Sequence, residues 1–333
     1  MLLLWIRGVL ARRFLRVAGA AAGIAVAVAL LATLALFLSN AGASMTRRAV
    51  SAVPIDWQVQ MVPGADADAI RQRLSQAAEV TALHEVRYAD VAGFQARTGG
   101  TTQITGPGQV IAFDSSYSID FPAEVRLLSG TSQGGLVAQQ TAANLHVVPG
   151  DTVTIAPVGL PPVDVKVAGV VDLPDADSLF QAVGLPPQAA PQAPPDNVLI
   201  LPRTEWRSLL DAQQKLRPDT VRLQLHIRLA HDLLPPSPVS AFTLVTGMER
   251  NFEAKVAGQA LVADNLGSRL GAVREDALYA WLLFLFLGRP GVAVPVALTF
   301  AGTASGGARR RGARRPRRWP GARRRLRRAA ARK

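Results

Sequence analysis

Gly130-Thr131-Ser132-Gln133-Gly134 fits G-x-S-x-G, the turn that lifts a nucleophilic serine between a strand and a helix. A strand is predicted over 125–128, and Leu136, Ala138, Ala142 and Leu145 predict an amphipathic helix beyond it, the context such an elbow needs. Asp172 and His226 follow in the order of a hydrolase triad. Against this, three fixed positions recur easily among 28 glycines, and the long alternation of parallel strands and helices expected of a hydrolase is missing. Ser132 is therefore read as a turn residue. A serine hydrolase stands as the remote alternative, and no residue is assigned a catalytic role.

Other chemistry is excluded more directly. No G-x-x-x-x-G-K-[ST] occurs, so the chain carries no P-loop with which to use ATP itself. His84, His146, His226 and His231 are scattered without metal-ligand spacing, and neither metal nor cofactor is expected. With no cysteine there is no disulfide, thiolate site or cysteine nucleophile. The net charge of +13 belongs to the end of the chain: residues 309–333 hold thirteen Arg and one Lys and no acid, leaving 23 basic against 24 acidic residues elsewhere. A nucleic-acid-binding body needs a basic face within the fold, so nucleic acid is not an expected partner.

What positions the rest of the chain is a bilayer. Residues 17–38 carry no charge, Pro, Asn or Gln, and as a helix they reach roughly 33 Å, enough to cross a hydrocarbon core of about 30 Å. Arg7, Arg12, Arg13 and Arg16 precede the span and only Arg47 and Arg48 follow before Asp56, which places 1–16 in the cytoplasm and the chain from about residue 40 outside. A cleaved signal peptide ending at Ala41-Gly42-Ala43 is the rival, but 22 apolar residues exceed the usual signal core and favour an uncleaved anchor.

Residues 44–246 then read as α+β material. Trp57, Val59 and Met61 alternate as a strand, and Asp66 caps a helix faced by Ile70 and Leu74. Short strands follow at 82–88, 93–97 and 109–114, with a Gly/Thr-rich loop over 98–108. Further strands are expected at 151–156, 163–171 and 197–201, then a helix capped by Thr204 with Trp206, Leu209, Leu210 and Leu216 on its apolar face. Five prolines make 185–195 a surface excursion. At 221–229, Val221, Leu223, Leu225, Ile227 and Leu229 alternate with Arg222, Gln224, His226 and Arg228, one face core and one wet. Met248, Phe252, Val256, Ala260, Ala263, Leu266, Leu270 and Val273 step at helical spacing, giving a continuous stalk helix over 247–277.

A second span is expected over 278–304. Its Leu, Phe and Val residues, at roughly 0.3 to 0.6 kcal/mol each, outweigh the approximately 3 kcal/mol cost of Arg289. It returns the chain to the cytoplasm, where the low-complexity basic tail, 305–333, obeys the same orientation rule. That tail reads as a segment pressed on anionic lipid, as a nucleic-acid arm, or as a peptide from a shifted reading frame of a GC-rich gene.

Several stretches carry a family resemblance. Leu128-Ser129-Gly130 leads through Ala142-Ala143-Asn144-Leu145 to Val148-Pro149-Gly150-Asp151-Thr152-Val153, closing with Val167-Ala168-Gly169-Val170-Val171. With Asp196-Asn197-Val198-Leu199-Ile200 and the run at 282–291, their order and spacing resemble the permease subunits of FtsX/MacB-type ABC transporters. The resemblance covers about residues 1–308. It implies an α+β extracytoplasmic domain held between two transmembrane helices, in a multi-pass plasma-membrane protein with both termini cytoplasmic. The function implied is that of a non-catalytic permease subunit moved by a partner ABC ATP-binding subunit, as a homodimer or permease heterodimer. Such permeases have further spans where this chain has its basic tail, which marks the chain as truncated or frame-shifted there. A two-span membrane-anchored sensor or adhesion module is the alternative from another class.

Overall fold

A computed structural model describes residues 2–181, 183–184, 193–283 and 286. The chain divides at Asn40/Ala41 and Ala277/Leu278 into a folded unit, Ala41–Ala277, and its flanking segments. Much of the excursion at 185–195, most of the expected span at 278–304 and the tail at 305–333 lie outside the described residues.

Helix α1 (Leu2–Ser51) contains the apolar run and outlasts it at both ends, because the flanking Ala, Leu and Arg are good helix formers. Its part Ala21–Ser51 reaches a mean hydropathy of 2.6, and the most apolar stretch is buried by nothing: Leu30 and Leu36 are 57% and 65% exposed. It is the one helix among the described residues long and apolar enough to cross a membrane.

The folded unit is built on a mixed sheet of eleven strands. These are β1 (Trp57–Met61), β2 (Val80–Thr98), β3 (Thr101–Ile104), β4 (Gly108–Phe113), β5 (Arg126–Gly130), β6 (Gly135–Ala138), β7 (Thr152–Pro157), β8 (Val163–Asp172), β9 (Val198–Pro202), β10 (Val221–Leu229) and β11 (Ala260–Asp264). The order is β11-β1-β10-β2-β4-β9-β6-β8-β5, with β3 hung on β2 and β7 bridging β2 and β8. Strand β2 does most of the joining. Its first half lies between β10 and β4, and beyond an irregularity at Val91/Gly93 its second half pairs with β7 and β3.

Three apolar clusters pack on this sheet. One lies beneath α4 (Gln139–Leu145) and α6 (Arg203–Leu216), with Leu145, Trp206 and Leu210 fully buried. A second joins α2 (Ala67–Ser75), α7 (Pro238–Val256) and the last turns of α1 to β1 and β10. The third lies under two single-turn helices, α3 (Tyr117–Asp120) and α5 (Ala176–Leu179). The Asp66 cap forms as expected, its carboxylate accepting from the amides of Asp68 and Ala69.

Several expectations are corrected. The loop at 98–108 holds β3, because Gly99 and Gly100 take φ of +57° and +83° and close a two-residue hairpin. The helix expected from Leu136 begins at Gln139, since 135–138 is the fully buried strand β6. Thr204 caps nothing: α6 starts one residue earlier, its cap position is Pro202, and Leu216 is exposed.

The 247–277 stalk is not one helix. Helix α7 stops at Val256, Ala257 and Gly258 turn through φ of +26° and +74°, β11 pairs with β1, and a further helix, α8, covers 265–283. The wet face expected for β10 is also covered, with Gln224 and His226 buried.

Candidate functional site

The hydrolase constellation is not assembled. Ser132 lies in an exposed turn between two strands, so the strand-to-helix elbow does not form. Asp172 pairs with Arg126 at 2.5 Å, and His226 is buried on β10 with both ring nitrogens engaged elsewhere. Among the described residues, no group of three His, Asp or Glu is placed to hold a metal ion.

Three of the stretches that carry the family resemblance, 128–130, 148–153 and 167–171, instead meet at β8. The Thr131 amide donates to the Ala168 carbonyl at 2.9 Å, and β5 pairs Gly130 with Gly169. On the turn before β7, the Gly150 amide donates to Val167 O and the Val167 amide to Asp151 O, both at 2.8 Å. The Asp151 carboxylate accepts from the Val148 amide at 2.9 Å and closes that turn. A side chain at Gly169 would come within 2.6 Å of the Thr131 carbonyl, so the close approach of β5 to β8 requires glycine there. The sequence pattern is thus a packing signature.

The arrangement with most bearing on function lies where the chain leaves α1 and enters α8. Strand β1 begins six residues after α1 ends, β11 ends one residue before α8, and the two strands are antiparallel with Trp57 opposite Asp264. The Asp56 carbonyl accepts from the amides of Asn265 and Leu266 at 3.0 and 3.2 Å, and the Asn265 side chain donates to Ile55 O at 3.0 Å. Asp264 Oδ1 accepts from Trp57 Nε1 at 3.0 Å and from the Gly267 amide at 2.7 Å, capping α8. Burial raises the Asp264 carboxyl from 3.8 to about 6 against the lowering effect of those donors.

Asp56 itself is buried, its Oδ2 held by the Leu229 amide at 2.8 Å and by His231 Nε2 at 2.6 Å. Ala49 and Val50 of α1 share one apolar cluster with Leu266 and Leu270 of α8. Chain exit and chain return are therefore clasped by a strand ladder, a carboxylate cap and common packing. Sequence reading missed this clasp because Asp264 falls within an unbroken helical period. Its one available signal was an acid between apolar neighbours at Val262, Ala263 and Leu266.

A second polar group is sealed under α3 and α5. His226 Nδ1 lies 2.8 Å from Tyr117 Oη and Nε2 3.2 Å from Tyr88 Oη, while Tyr88 donates to Leu179 O at 2.8 Å. Burial lowers the imidazole from 6.5 to about 3, helped by nearby His84, so it stays neutral. Glu124 beside this group is fully buried, and the Ser178 hydroxyl is the polar group that favours its charged form. Burial, then the charge of Asp175, pushes its carboxyl from 4.5 to about 8.

The MacB-like periplasmic core domain family matches residues 14–233. No curated protein matches the chain. Among solved structures, it is similar to the periplasmic region of MacB from Actinobacillus actinomycetemcomitans, with 11% identity and a TM-score of 0.37 over 64% of this chain and 91% of that one. It is also similar to a permease-protein domain from Porphyromonas gingivalis, with 15% identity and a TM-score of 0.32 over 62% of this chain and 87% of that one.

Proposed function

The chain belongs to the MacB-like periplasmic core domain family, that of FtsX/MacB-type ABC permeases, and from that premise we propose that it is a non-catalytic membrane subunit coupling ATP hydrolysis by a partner ATP-binding subunit to movement of its outer domain. In this reading 1–16 is cytoplasmic, 17–38 and 278–304 cross the plasma membrane, 44–246 lies outside, and the basic tail returns to the cytoplasm. The subunit works as a homodimer or permease heterodimer.

The observation that carries the reading is the clasp of Asp56, Trp57 and Asp264 on the segments that enter and leave the folded unit. A push on either segment acts on β1 and β11, and β1 is hydrogen-bonded to β10 and through it to β2. Packed strands and helices transmit such a load because a dense core deforms little. A flexible tether at either end would lose it.

The cysteine-free sequence makes the test direct. A single Ser132→Cys, in an exposed turn, is expected to react with a membrane-impermeant maleimide on intact cells. The labelled protein is expected to co-purify with its ATP-binding subunit, and the label's fluorescence to change on ATP addition. Labelling only after cell lysis, or no association in detergent, refutes the reading.

A further inference from the structure

Arg47 and Arg48 lie at the outer end of α1, exposed, and neither makes an ion pair among the described residues. They line a groove of about 540 Å³ between this end of α1 and the segment 231–236. Val50, Leu234, Pro235 and Pro236 supply an apolar wall, and His231 stands at its edge with Nε2 turned to Asp56. Two unpaired guanidinium groups beside an apolar trough suit an amphiphile with an anionic head better than a free ion or a neutral lipid.

Arg47 and Arg48 are also the first charged residues after the apolar run 17–38. Side chains on a helix tilt toward its N-terminus, here toward the bilayer, and long arginine stems snorkel to reach headgroups. The groove wall holds Thr46 in place, its Oγ1 donating to the Pro236 carbonyl at 2.8 Å. That bond ties this turn of α1 to the 231–236 segment that forms the facing wall.

We infer that this groove binds the headgroup of an anionic phospholipid of the outer leaflet, with the Arg47 and Arg48 guanidinium groups on its phosphate. The inference rests on α1 crossing the membrane as proposed above. The bound lipid would hold the outer end of α1 at the membrane surface, beside the clasp.

The test uses the full chain with Ser51→Cys, a residue on the groove, carrying an environment-sensitive fluorophore that reports locally and is blind to lipid on the basic tail. Titration with short-chain phosphatidylglycerol in neutral detergent is expected to shift the emission at least tenfold more tightly than phosphatidylcholine. Arg47→Gln with Arg48→Gln is expected to weaken that response by about tenfold to thirtyfold. Arg12→Gln with Arg13→Gln leaves it unchanged. Equal response to the two lipids, an unaffected Arg47/Arg48 variant, or displacement by millimolar inorganic phosphate overturns the inference. Alkaline carbonate extraction separates the two readings. A chain washed out of membranes sinks both, whereas a retained chain without lipid preference sinks this one alone.

Discussion

Trp57 and Asp264 are joined twice, as register partners across the β1–β11 ladder and through Nε1 donating to Oδ1 at 3.0 Å. The second bond ties the start of the sheet to the cap of α8, so one side chain serves both the strand and the helix. Trp57→Phe keeps the stacking on Phe252, whose ring centroid is 6.3 Å away, and removes only the donor. The expected loss is about 1.5 to 3 kcal/mol, the range for a hydrogen bond to a charged group, measured by urea unfolding at pH 8. A loss below about 0.5 kcal/mol would mean that the ladder holds without the clasp.

Glu85 is the convergence point of three arginines. Arg71 of α2 lies at 2.5 Å, Arg87 of β2 at 2.8 Å and Arg203 of α6 at 3.4 Å. Burial opposes the charged form of Glu85, but Arg87, Arg203 and Arg71 outweigh it and hold the carboxyl below its ordinary range. Glu85→Gln removes the buried anion that the three arginines share, leaving Arg71, Arg87 and Arg203 only their more exposed partners Asp68, Asp211 and Asp114, and is expected to cost about 2 kcal/mol at pH 7. Because the folded-state value is lowered, this contribution is present above the ordinary carboxylate value and lost as pH falls through the folded one. Chemical denaturation at pH 7 and pH 3 should therefore show the gap between wild type and variant closing in acid.

Two buried groups under α3 and α5 impose opposite pH slopes. Glu124, raised to about 8, holds a proton in the folded state that the unfolded chain releases above 4.5, so its contribution is full below 4.5 and lost as pH rises through 8. Glu124→Gln should raise the melting temperature at pH 8.5 by several degrees and leave it unchanged at pH 4.5. His226, lowered to about 3, stays neutral while the unfolded imidazole protonates below 6.5, so stability falls as pH drops from 6.5 toward 3. His226→Gln should flatten that acid limb. A pH-independent offset for both variants would contradict the assignment.

How far the sequence carried these conclusions differs by element. α1, the Asp66 cap and the strand at 221–229 were legible because each rests on local periodicity or a single capping residue. The break at 257–264 was not. Val256, Ala260, Ala263 and Leu266 keep three- and four-residue steps through a turn and a strand, and only Gly258 hinted at the interruption. His226 was read as solvated because alternation reports one covered face. The other cover comes from Tyr117 and Leu179, on four-residue helices too short to show any period. The clasp of Asp56, Trp57 and Asp264 joins residues about 200 positions apart, which no local pattern encodes.

Gly169 offers the sharpest test of the packing signature. It sits on β8 opposite Gly130, and a Cβ there would meet the Thr131 carbonyl at 2.6 Å and the Ser129 carbonyl at 3.0 Å. Both are backbone atoms of one edge segment, so no side chain can rotate away and the segment itself must shift. β5 is exposed along its whole length and among the described residues pairs with β8 alone, so little else there retains it. Gly169→Ala is therefore expected to detach 126–131 while leaving β6 and β7 on β8, at about 1 to 3 kcal/mol. Limited trypsin digestion should show faster cleavage after Arg126 in the variant, with the far-ultraviolet circular dichroism nearly unchanged. Equal cleavage rates would mean that β5 is held by something other than its close approach to β8.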